Sequence, residues 1–113
     1  MRLIEILEDS GVGRIALERL RQVTHEGWNA DHDDQHQAGQ LAMAGACYAA
    51  PKQILVESRS SKGASFTDPW PWADKWDKRG NGDRIRDLEK AGALIAAEID
   101  RLLRGGEVEK DGG

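Results

Sequence analysis

Residues 83–106 read DRIRDLEKAGALIAAEIDRLLRGG. Within them Ile85, Leu88, Gly92, Ile95, Ile99 and Leu102 recur at spacings of three and four, the period of one face of an α-helix. Asn81 or Asp83 stands where a cap accepts from the free N–H groups of the first turn, and Gly105 and Gly106 stop the run. A long helix with an apolar stripe needs a partner for that stripe, which makes the upstream segments its packing partners.

Working upstream, Val12, Ala16, Leu20, Val23 and Gly27 share one face, so a first helix is expected over residues 13–26, ended by Gly27. A second helix is expected from near Asp33 to Pro51. It carries Ala38, Leu41, Ala42, Gly45, Ala46 and Ala49 on one side and Met43 and Cys47 on the other. A helix apolar on nearly all sides is a buried one. LIEILE at 3–8 is short enough for a turn of helix or a strand. Residues 51–82 break the pattern. SRSSKGAS is polar and small, and DPWPWADKW carries two prolines that exclude a helix interior. The chain therefore reads as an all-α, compact three-helix domain over 1–104, with a long Trp-rich insert between helices two and three. Residues 105–113 read as a disordered tail.

The 113 residues fit one domain, and 39% hydrophobic with 32% charged residues is a globular balance. A formal net charge of −4 argues against general nucleic-acid binding, which needs a basic footprint. Cys47 is the only cysteine, so no internal disulfide forms and a reduced cytosolic setting is expected. MRLIEILEDS lacks the pattern of a secretory leader, and no stretch has the roughly 20 apolar residues of a membrane span. There is no P-loop and no nucleophile elbow.

Residues 26–36, EGWNADHDDQH, gather four acids, two histidines and a tryptophan. Asp31, Asp33 and Asp34 can cap the second helix. A metal reading uses Glu26, His32, Asp33 and His36, since mixed carboxylate and imidazole ligands suit manganese, iron or zinc. A divalent metal is the one cofactor the sequence brings forward. A third reading is a ligand pocket. By helical phase Asp34 points inward and needs an arginine or backbone partner, and His36 joins Gln40, Met43 and Cys47 on a pocket wall.

Four of the six aromatic residues are tryptophan: Trp28, Trp70, Trp72 and Trp76. They either cover the core or form a stacking platform for planar rings. Arg84 and Arg86, at the start of the third helix and near Lys75, Lys78 and Arg79, are placed to meet phosphate. Arg84, Asp87, Ala91, Leu94 and Glu98 form a second face of that helix.

EGWNADHDDQH, GQLAMAGACYAA, WPW and DLEKAGALIAAEIDRL together resemble a family of small phage and prophage proteins, over roughly residues 14–104. The resemblance implies a phage-related setting in the cytosol of a bacterial host cell. Some small phage proteins sequester nucleotide signals of bacterial immunity, and this chain is similar to them in size and in its stacking and phosphate residues. Others are all-α nucleotide pyrophosphohydrolases, with EExxE and ExxD helical pairs around magnesium. Here Glu98 and Asp100 stand only two apart, a departure from that pattern. The expectation is an oligomeric protein that binds a nucleotide-like ligand through Trp28, Asp34, His36, Trp70, Trp72, Trp76, Arg84 and Arg86. The alternatives are a metal-dependent hydrolase using Glu26, His32, Asp33, His36 and Glu98, and a structural interaction module.

Overall fold

The computed structural model describes residues 2–80 and 82–105. Its elements, in order, are α1 (Leu3–Glu8), α2 (Gly11–Thr24), α3 (Ala30–Asp34), α4 (Gln40–Ala49), β1 (Val56–Ser60), β2 (Gly63–Thr67), a 3-10 turn (Asp74–Trp76) and α5 (Arg84–Gly105). The all-α expectation is overturned: β1 and β2 pair as an antiparallel hairpin in the register Val56↔Thr67 to Ser60↔Gly63. The hairpin forms where the serines of SRSSKGAS read as an unstructured loop. Ser61 and Lys62 make the turn, the Lys62 N–H donates to Ser60 Oγ, and Gly63 takes a positive φ of 112° that suits glycine. Every residue of both strands is exposed, Val56 and Phe66 included, so no buried apolar face marked them as strands.

The expected second helix is two helices. Asn29 caps α3, its side-chain oxygen accepting from the His32 N–H at 3.0 Å. The chain leaves the helix after Asp34, and Gly39 turns it with a φ of 80° into α4. A change of direction at residues 35–39 resets the helical phase, which matters for every residue of the acidic cluster.

α5 is the spine. α2, α3 and α4 all pack on it. Asp83 caps it, accepting from the Arg86 N–H at 3.0 Å; Asn81 and the expected tail beyond Gly105 lie outside the described residues. The core is Leu41, Ala44, Tyr48, Ala91, Leu94 and Ala97, with Trp28, Ala49, Trp70 and Trp72 against it. These are mostly small side chains, and they let the helices approach closely. A Cβ on Gly45 would stand 3.1 Å from Ile95 Cγ1 and 3.2 Å from the Ala91 carbonyl oxygen. The indoles supply the apolar area that alanine does not, on the order of a few kcal/mol each.

The face of α5 turned inward is not the expected stripe. Ala91, Ala93, Leu94, Ala97, Glu98 and Arg101 are buried, while Ile85, Leu88, Ile95 and Ile99 are exposed. α2 behaves alike: Gly13, Glu18 and Gln22 are buried, and Val12, Leu20 and Val23 are exposed. Both helices turn a polar-bearing face inward because the buried charges have partners. Arg101 Nε donates to Glu98 Oε1 at 2.6 Å, and Glu18 is held by two arginines.

Candidate functional site

α3 and the loops on either side of it bring Trp28, His32 and His36 to one side of the core, and the insert carries Trp70, Trp72 and Trp76 to the same place. Apart from Trp76, these rings form a continuous chain that ends on Tyr48. Trp28 stacks on His32 with centroids 5.3 Å apart and planes within 2°. His32 meets His36 edge-on at 5.0 Å, and His36 meets Trp72 at 5.1 Å. Trp72 contacts Trp70 at 5.6 Å, and Trp70 contacts Tyr48 at 5.7 Å.

The insert is pinned so that it holds this arrangement. Arg79 lies over the Trp70 ring at 5.2 Å, and its guanidinium donates to Asp77 at 2.6 Å and Asp68 at 3.0 Å. Hydrogen bonds to Gln53, the Trp70 N–H and Arg79 hold Asp68 below the usual carboxylate range, and Arg79 does the same to Asp77. The Lys78 N–H donates to Tyr48 Oη at 3.1 Å. Burial pushes the Tyr48 phenol up, so this oxygen stays a neutral acceptor.

Trp28, His32, His36, Tyr48, Trp70, Trp72 and Trp76 wall a hollow of about 400 Å³, with Leu94 of α5 also lining it. Trp72 Nε1 is buried and has no hydrogen-bond acceptor among the described residues. His32 Nδ1 lies 3.0 Å from Asp33 Oδ1, a contact that orients its ring in the wall of the hollow. Burial, and then the neighbouring His32, push the His36 pKa down, which favours its neutral form.

A second hollow, of about 260 Å³, shares Trp28, Tyr48, Trp76 and Leu94 with the first. Its remaining lining is charged: Glu18, Arg21, Glu26, Lys78, Arg86 and Lys90, beside Gln22. Glu18 accepts from Arg21 at 2.8 Å and Arg86 at 2.6 Å. Burial would raise its pKa, but the hydrogen bonds from the two arginines outweigh that and keep it ionised. Glu26 is held by Arg21 at 2.7 Å, and Arg86 also reaches Glu89 at 3.0 Å. Gln22 is 1% exposed, and its Oε1 has no donor among the described residues.

Several expected site residues take other places. Asp33, not Asp34, is the buried acid: it is 0% exposed and accepts from Arg19 at 2.8 Å. Asp34 is part-exposed and pairs with Arg104 at 2.7 Å, because the break after α3 shifts the phase. Arg84 faces no ligand space of the aromatic hollow. Its guanidinium donates to the carbonyl oxygens of Tyr48, Ala49 and Ala50, satisfying the end of α4. It borders a third hollow of about 510 Å³, whose arginines are occupied by Asp68, Asp77 and these carbonyls. Arg86 does line the charged hollow. The proposed metal ligands do not converge: among the described residues no three His, Cys, Asp or Glu side chains are placed to hold an ion. Glu26 belongs to the charged hollow, His32 and His36 to the aromatic one, and Asp33 to neither.

Gln22, Tyr48, Lys78, Lys90 and Leu94 were not singled out from the sequence as site residues. Lys90 stands four residues after Arg86 and Gln22 four after Glu18, so each pair shares a helix face. That spacing was the available sign. No helix of the described residues is long and apolar enough to cross a membrane. No protein-family profile, curated protein or solved structure matches the chain, and the reading of the site rests on its own geometry.

Proposed function

We propose that the chain binds a nucleotide-like small molecule by its heterocyclic ring in the aromatic hollow, and sequesters it rather than converting it. The observation that carries this reading is the ring-lined hollow of about 400 Å³ with an unpartnered, buried indole N–H in its wall. Stacking on indole contributes on the order of 1–3 kcal/mol per base. An apolar lid would not need an orphan donor, since burying one without a partner costs about 1–3 kcal/mol. Trp72 Nε1 offers a donor to this space, and nucleobase edges carry acceptors that complement it.

The hydrolase reading has less support. Glu26, Asp33 and Glu98 are held by Arg21, Arg19 and Arg101, so their carboxylates are already partnered. In the phage setting that the motifs resemble, a binder of this kind would hold an immune nucleotide signal in the host cytosol.

Titration of the purified protein with the four ribonucleoside 5′-monophosphates, read by tryptophan fluorescence, tests the reading. A saturable change that is insensitive to EDTA and weakened by Trp72→Ala is expected. No change with any of them, or metal-dependent turnover of one, overturns it.

A further inference from the structure

The charged hollow next to the rings has a polarity that the fold does not use up. Four cations and two carboxylates line it. The arginines are accounted for: Arg21 is bound by Glu18 and Glu26, and Arg86 by Glu18 and Glu89. Neither the Lys78 nor the Lys90 ammonium makes an ion pair among the described residues. Lys90 lies over the Tyr48 ring at 5.7 Å, beside the wall that both hollows share. Gln22 adds a second kind of vacancy, a wholly buried acceptor with nothing to accept.

Building on the ring-binding reading, we infer that this hollow is the phosphate subsite of the same ligand, with Lys78 and Lys90 holding a phosphate dianion and Gln22 Oε1 accepting from a sugar hydroxyl. Two uncompensated ammonium groups match the two charges of a phosphate monoester. The shared wall of Trp28, Tyr48, Trp76 and Leu94 puts that charge directly beside the stacked ring, the order in which base, sugar and phosphate are joined. The arginines, held by Glu18, form a fixed positive backdrop and are spared the cost of reorganising. Burial, and then the charge of Arg86, push the Lys90 pKa down. An arriving anion would relieve that penalty.

Isothermal titration of the full-length chain with adenosine, guanosine and their 5′-monophosphates tests the inference. Each monophosphate should bind at least about tenfold tighter than its nucleoside, a difference of about 1.4 kcal/mol. Lys78→Gln combined with Lys90→Gln should remove that preference, while circular dichroism shows the helices intact. Equal affinity for nucleoside and monophosphate overturns the phosphate subsite and leaves ring binding standing, as does a preference that survives the double substitution. Failure of all four compounds to bind removes both.

Discussion

The carboxylate of Asp33 has no exposed surface, yet it accepts a 2.8 Å hydrogen bond from Arg19, which is 17% exposed and reaches across from α2. This pair ties α3 to α2 and, through His32, fixes a ring in the aromatic hollow. Removing one member of such a pair strands the other's charge.

Asp33→Ala should therefore destabilise the fold by about 3 kcal/mol in urea denaturation. Asp34→Ala, which breaks a part-exposed pair with Arg104, should cost at most about 1 kcal/mol. Equal losses would mean that Asp33 and Arg19 are not joined in solution.

His36 gives a pH dependence. Its folded-state pKa lies below the ordinary value of about 6.5, chiefly through burial and then through His32, with Asp33 opposing. The unfolded chain thus takes up the proton first as pH falls. The contribution of the neutral ring is complete above about pH 6.5 and is lost as pH drops through the folded pKa. Melting temperatures recorded from pH 8 downward should decline in that window, and His36→Asn should flatten that part of the curve. A decline unchanged in His36→Asn would assign it to other groups.

Gly92 sits where α2 crosses α5. A Cβ there would lie 2.4 Å from Ile15 Cδ1 and 2.6 Å from Ile15 Cγ1. Alanine is the better helix former by about 1 kcal/mol, but displacing Ile15 costs about 1–3 kcal/mol. Gly92→Ala should lower the midpoint of unfolding. Gly11→Ala, with nothing within 4 Å, should raise stability by about 0.4–1 kcal/mol. A stabilised Gly92→Ala protein would place α2 farther from α5.

Ile85, Leu88, Ile95 and Ile99 expose an apolar ridge along about 21 Å of α5. A second copy of the chain is the occupant expected there, because a two-fold contact sets one such ridge against another. Light scattering at micromolar concentration should report more than one chain, and Ile85→Glu with Ile99→Glu should yield a folded monomer. A monomeric unsubstituted protein would count against the contact.

How much of this was legible in the sequence depends on the kind of interaction. α5 was legible from local spacing alone, with Asp83 one of two candidate caps. Its buried side was not. Periodicity ranks faces by hydrophobicity, and here isoleucine stays outside while alanine and the paired charges of Glu98 and Arg101 go in. The break at Gly39 turned Asp34 outward and Asp33 inward, a one-residue error with opposite consequences. Crowding of Trp70, Trp72 and Trp76 was visible in DPWPWADKW. Their meeting with Trp28, His32 and His36 depends on tertiary packing, which no local pattern encodes. Arg84 and Arg86 looked alike as basic residues, but one ends up on main-chain carbonyls and the other in the charged hollow.

The grip of Arg84 on Tyr48, Ala49 and Ala50 joins the last turn of α4 to the first turn of α5. Residues 51–83 thus leave and return at one staple. Doubling the length of a loop closed in this way costs only about 0.6 kcal/mol in chain entropy. The hairpin of β1 and β2, exposed along its whole length, is therefore the part of the insert whose length is free to vary, while Trp70 and Trp72 hold the remainder against the helical core.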